Sequence, residues 1–212
     1  MQELLPRIHR AITLMKVGPM KFNAGMVVVT GDDALVLIDP FTLPADETQA
    51  LEALGAPTHI VITADSHERD AAAYRQRYSA QVLAHRELAP KLELQPDQTF
   101  ENGDDLPGGL QAIGIPGTRP GETAVLVPDG AGTLILGDTL MNISASDRGF
   151  LMRLLGFPVG LGKMPKMAIK NAKQAHQSYL ALLELDFDAL VVSHGDPIIS
   201  GAKEQLRRVL EA

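Results

Sequence analysis

The sequence contains no cysteine. That one absence removes disulfide frameworks, thiolate nucleophiles, iron–sulfur clusters and Cys-based zinc sites, so any metal must be held by His, carboxylate or backbone and amide oxygen. Cationic residues are also in deficit, 19 Lys and Arg against 26 Asp and Glu, for a formal net charge of −7. A general nucleic-acid binder needs a surplus of Lys and Arg on one face to neutralise phosphates, and no nucleic-acid partner is expected here. Long apolar runs are missing too. No stretch reaches the ~18 residues of a membrane span, and Pro6, Arg7, Arg10 and Lys16 interrupt what would be the apolar region of a signal peptide. With neither a transmembrane segment nor a leader, the expected location is the cytoplasm.

What remains is the composition of one ordinary globular domain, 45% hydrophobic over 212 residues, without internal repeats or low-complexity tracts. A chain of this length buries roughly 70% of its unfolded surface and folds without a structural metal. A single domain over residues 1–212 is expected.

Short Val- and Ile-rich runs bounded by turn residues predict buried strands at 26–30, 34–39, 59–63, 110–115, 123–128, 133–136 and 189–193. Gly31-Asp32-Asp33 joins the first two as a hairpin. Helical patterns fall at 44–54, 68–78, 166–185 and 201–210. Hairpins followed by strand–helix units, then more hairpins and a strand–helix close, predict an α/β layered domain of mixed sheets flanked by helices.

Several of these strands end on acidic or His residues followed by tight turns: Leu35 to Pro40, Ile60 to Asp70, Leu134 to Thr139 and Leu190 to Pro197. In layered α/β domains such ends converge on one crevice, which would gather Asp39, Asp65, His67, Asp70, Asp138 and His194. Taken singly, each residue has an ordinary structural reading: Asp65 as a helix N-cap, Asp39 and Asp138 as turn caps, His194 as a histidine bonded to loop backbone.

Five landmarks in order carry a resemblance. They are Leu37-Ile38-Asp39-Pro40, the strand, loop and helix at 60–78, Pro116-Gly117-Thr118-Arg119-Pro120-Gly121-Glu122, Gly137-Asp138-Thr139, and Ser193-His194-Gly195-Asp196-Pro197. Together they resemble the metallo-β-lactamase-fold superfamily, whose αββα sandwich of two mixed sheets usually holds one or two zinc, iron or manganese ions. The second landmark stands where the family carries His-x-His-x-Asp-His followed by two glycines. With Ala72-Ala73 on the glycines, Asp65 and His67 fall on the first two His positions, Arg69 on the Asp position and Asp70 on the third His position. Thr118 stands where the third landmark has His.

The resemblance therefore implies a reduced, degenerate site. A dinuclear centre is not expected, and a mononuclear one would draw on Asp65, His67, Asp138 and His194. The implied activity is metal-assisted hydrolysis of a small molecule. In it Asp70 would orient the water or act as base, and Arg69 would bind a substrate anion or supply the second metal's charge. The competing reading is a metal-free, non-catalytic member of the fold that binds or scaffolds, which Thr118 and Arg69 favour. Flavin-linked members need a partner domain for which this length leaves no room.

Residues 148–173 hold six basic side chains and no acidic one, leaving −13 on the rest of the chain. The segment is also apolar, and its glycines with Pro158 and Pro165 exclude one continuous helix. It is expected to wall the crevice and favour apolar, anionic substrates, with Phe150, Leu151, Leu154, Leu155 and Phe157 as lining. The other readings are a homodimer contact through residues 148–170 and contact with a lipid surface.

Overall fold

The structure, a computed structural model, describes residues 1–165 and 169–211. One sheet runs β1 (Gln2–Leu5), β2 (Ile8–Val17), β3 (Met20–Thr30), β4 (Leu35–Ile38), β5 (His59–Ile62), β6 (Gln81–His85) and β7 (Gln98–Phe100), in that spatial order. Pairing is antiparallel as far as β4 and parallel from β4 to β7. The second sheet has β8 (Asp105–Leu106), β9 (Leu110–Gly114), β10 (Thr123–Val127), β11 (Thr133–Leu136) and β14 (Ala189–Val192), in the order β14-β11-β10-β9-β8, with β11 and β14 parallel. A small hairpin pairs β12 (Leu140–Ile143) with β13 (Gly160–Lys163).

Alternation along the strands builds three layers of core. Val27, Val29, Val36, Ile38 and Val61 point inward and meet Ala112, Val125, Val127, Ile135 and Val191 of the second sheet. The alternate residues Val28, Leu35, Leu37, Ile60 and Ile62 point outward and are covered by Leu51 of α1 (Ala45–Leu54) and by Ala71 and Tyr74 of α2 (Ala71–Tyr78). On the other side, Leu126, Leu134, Leu136, Leu190 and Val192 pack under α4 (Ala172–Leu182) and α5 (Ala202–Glu211). Strands apolar on both faces can be buried only between two layers, and the αββα sandwich is the result.

The N-terminal hairpin of β2 and β3 is longer than the expected strand at 26–30, because the two strands stay paired in register, Leu14 with Asn23 and Met15 with Phe22, as far as a turn at Gly18 (φ +57°). The last long helix begins at Ala172, where the Asn171 side chain accepts the Gln174 N–H and caps it. Lys166 to Ala168 of the expected helix lie outside the described residues. The basic segment forms a five-residue helix, α3 (Phe150–Leu154), and then β13. Met152 anchors α3 against Met141 and Ile143, so Phe150 and Leu154, expected as lining, face solvent instead at 83% and 71% exposure. No helix among the described residues is long and apolar enough to cross a membrane.

Candidate metal centre

Parallel pairing brings the carboxyl ends of β4, β5, β11 and β14 to one edge of the sandwich. Asp39 follows β4, His67 closes a 3₁₀ turn after β5, Asp138 follows β11 by one glycine, and His194 follows β14 by one serine. Backbone hydrogen bonds knit the edge together: Gly25 N–H to the Ser193 carbonyl (2.7 Å), Ser193 N–H to Leu136 (2.9 Å) and Thr123 N–H to Thr63 (3.0 Å). Gly137 must lack a side chain, since a Cβ there would collide with Thr63 Oγ1. Gly195 adopts φ +101°, and a Cβ at that position would run into the Asn142 carbonyl.

Three buried side chains converge. His67 Nε2 lies 3.3 Å and His194 Nε2 3.0 Å from the same oxygen, Asp138 Oδ1. These three atoms fall within 4.8 Å of one another, a spacing that could hold one metal ion. Each ring is oriented by its other nitrogen: His67 Nδ1–H donates to Asp39 Oδ2 (2.7 Å), and His194 Nδ1–H donates to the Asn23 carbonyl (3.0 Å). In the neutral rings, both Nε2 atoms would thereby be left as lone-pair donors. An acceptor behind each imidazole is what a metal-binding histidine requires, and a two-nitrogen, one-carboxylate set suits zinc, manganese or iron. On that test the residues fit the ion.

Asp39 supports the arrangement from below. It sits at φ +53° and is fully buried; its Oδ1 accepts the Thr63 N–H (2.8 Å) and its Oδ2 also accepts Thr63 Oγ1 (2.6 Å). Burial disfavours its charge, but His67 and Arg69 outweigh burial and hold its pKa below the usual value. Burial likewise opposes the His67 imidazolium, and the carboxylates of Asp39 and Asp138 reverse this, raising its pKa to about 9. The two histidines hold Asp138 well below the ordinary carboxylate range in spite of burial. Without a metal, then, His67 is a cation clasped by two carboxylates, and an incoming metal must displace its proton.

The other expected site residues stand apart from the three. Asp65 is directed to Arg119 Nη1 (2.8 Å) rather than to the histidines. It is not a helix cap either, because α2 starts six residues later. Asp70 Oδ2 accepts the Thr42 N–H (2.6 Å), which ties two loops together, and Asp70 is not among the three residues that could hold an ion. Arg69, at φ +41°, runs beneath Asp39 and donates Nη1 to the carbonyls of Gly25 and Asp39 (both 2.9 Å). Its guanidinium braces the backbone and makes no ion pair with Asp138 among the described residues. Thr118, where the family's motif has a His, turns its hydroxyl to the Ile115 carbonyl (2.6 Å) and is not among the three residues that could hold an ion.

The arginine beside Asp138 is Arg119, whose Nη1 lies 3.5 Å from Oδ2 while Ser66 Oγ donates to the same oxygen at 2.9 Å. Sequence reasoning passed over Arg119 and Ser66, since nothing in their local spacing distinguishes them from other loop residues. Glu122 was missed as well. It is buried against Thr139 Oγ1, and burial with the Asp138 charge nearby pushes its pKa up to about 7.

The sequence profile of the metallo-beta-lactamase superfamily matches residues 11–208, and the chain belongs to that superfamily. Its fold is shared by solved structures of low sequence identity. The metallo-beta-lactamase from Pontibacter korlensis is 16% identical, with 99% of this chain and 97% of that one covered at a TM-score of 0.73. DIM-1 metallo-beta-lactamase is also 16% identical, with 99% and 95% covered at 0.72. A metallo-beta-lactamase family protein from Thermus thermophilus is 18% identical, with 99% and 78% covered at 0.66. Among functionally curated proteins, none matches the sequence.

Proposed function

We propose that the protein is a mononuclear metal-dependent hydrolase in which His67, Asp138 and His194 hold the ion. The observation that carries this reading is the convergence of both Nε2 atoms on Asp138 Oδ1, with each Nδ1 already committed to an acceptor. A divalent cation bound there would lower the pKa of a bound water and polarise a scissile carbonyl or phosphoryl group. The chain's own residues do the positioning: Asp39 and the Asn23 carbonyl fix the two rings, and Ser66 fixes the second oxygen of Asp138. Asp70 has no part in the reaction on this reading, because its carboxylate is committed to the Thr42 N–H, and Arg69 acts as a brace, with Nη1 committed to the carbonyls of Gly25 and Asp39. The guanidinium of Arg119 lies where a second cation would otherwise face Asp138 Oδ2, and this supports a single metal.

One observation favours the metal-free scaffold instead. His67 faces a carboxylate at each ring nitrogen, Asp39 at Nδ1 and Asp138 at Nε2, a closed network that favours the protonated ring and raises its pKa to about 9. Metal analysis of protein purified without chelator separates the two readings. Near-stoichiometric zinc, manganese or iron, with hydrolysis of a panel of esters, lactones and phosphoesters that His194→Ala abolishes, is the expected result. No bound metal after metal-supplemented expression would establish the scaffold.

A further inference from the structure

A cleft of about 510 Å³ opens beside the candidate centre. Its walls combine Phe157 and Met164 of the basic segment with Lys91, Lys170, Asp65 and Arg119. Among the described residues three cations and one carboxylate line it, in a chain whose net charge is −7, so the cleft carries a positive field against an acidic background.

Arg119 connects this cleft to the metal triad. Its Nη1 is committed to Asp65 Oδ1 (2.8 Å) and Ser66 Oγ (3.3 Å), and lies 3.5 Å from Asp138 Oδ2. Nε and Nη2 donate to nothing among the described residues, although the side chain is only 31% exposed. A guanidinium whose Nη1 is bonded to Asp65, with the Asp138 carboxylate 3.5 Å away, keeps its position and its charge, and Nε with Nη2 forms a planar fork suited to the two oxygens of a carboxylate or phosphoryl group. Phe157 and Met164 offer apolar contact along the same cleft.

We propose that Arg119 is the substrate-anion anchor of this protein, and that the cleft takes a small amphiphile with an apolar body and an anionic head docked on Nε and Nη2, beside the bond presented to the metal. This rests on the hydrolase reading for the identity of the ligand as substrate, and on the cleft alone for its binding. It moves to Arg119 the role that the sequence pattern suggests for Arg69, whose guanidinium lies buried beneath Asp39.

The test is calorimetric titration of octanoate, with 1-octanol as the uncharged control, into protein as purified and after chelator treatment. Octanoate is expected to bind both forms, and octanol at least tenfold more weakly. Arg119→Gln should weaken octanoate binding at least tenfold and Arg119→Lys less, with metal content and unfolding midpoint kept. Asp65→Asn removes a negative charge from the cleft while its amide oxygen can still accept from Nη1 and keep the guanidinium in place, so octanoate binding should tighten, an effect opposite in sign that misfolding cannot mimic. Equal binding of octanoate and octanol, undiminished binding to Arg119→Gln, or weaker binding to Asp65→Asn would each overturn the assignment. So would loss of metal together with octanoate in Arg119→Gln, which would make Arg119 a positioning residue for Asp138. Because the chelator-treated arm needs no metal, failure of the hydrolase reading leaves this result readable.

Discussion

His67 Nδ1 lies 2.7 Å from Asp39 Oδ2, and both side chains are 2% exposed. A buried carboxylate at this distance fixes the imidazole's tautomer and its direction, and so decides that Nε2 is the atom offered to Asp138. Asp39→Asn keeps the shape and removes the charge. The expected outcome is a loss of metal affinity on the order of 10–100-fold, the usual effect of deleting such a partner, read by competition with a chromogenic chelator. Unchanged affinity would mean that the ring is held by packing alone.

Metal binding should also stabilise the fold, because the three ligands converge only in the native state. At a free metal concentration roughly 100 times Kd the gain is about 2.7 kcal/mol. Zinc or manganese should therefore raise the unfolding midpoint of the chelator-treated protein, and should not raise that of His67→Ala or His194→Ala. Equal shifts in the variants would place the ion elsewhere.

The close approach of Gly137 to Thr63 makes Gly137→Ala a sensitive probe of how Asp138 is placed. Forcing a methyl group into a well-packed edge costs roughly 1–3 kcal/mol. Urea unfolding should show that loss, and metal affinity should fall with it, since the displaced backbone carries the next residue's carboxylate. Full stability would show that Thr63 can give way.

Glu122 predicts a pH dependence. Its pKa rises from an ordinary 4.5 to about 7 in the folded protein, so the native state keeps a proton that the unfolded chain has released. The stability this confers is complete below pH 4.5 and declines as pH rises from 4.5 through about 7, by on the order of 3 kcal/mol. Glu122→Gln cannot lose that proton. Relative to wild type, the variant should gain stability across this window and level off above it. Urea midpoints of both proteins at about pH 4 and about pH 8, one on each side of the shift, measure the difference, and a constant difference would refute the buried-acid assignment.

The sequence by itself determined the layered class: runs such as Met26 to Thr30 and Leu134 to Leu136 are apolar on both faces and must be covered on both sides, and the five ordered landmarks, through the family resemblance, implied the αββα sandwich. It also marked His67, Asp138 and His194, because strand ends in such folds converge whatever loops join them. The partners of those residues were decided only by tertiary structure. Arg119 reaches Asp65 across 54 positions of chain, and Asp39 reaches His67 across 28, pairings that no local spacing encodes. Arg69 and Arg119 are alike as residue types. The backbone at φ +41° turns one beneath Asp39, and the loop after β9 carries the other into the cleft, so which guanidinium meets Asp138 depended on packing rather than on composition.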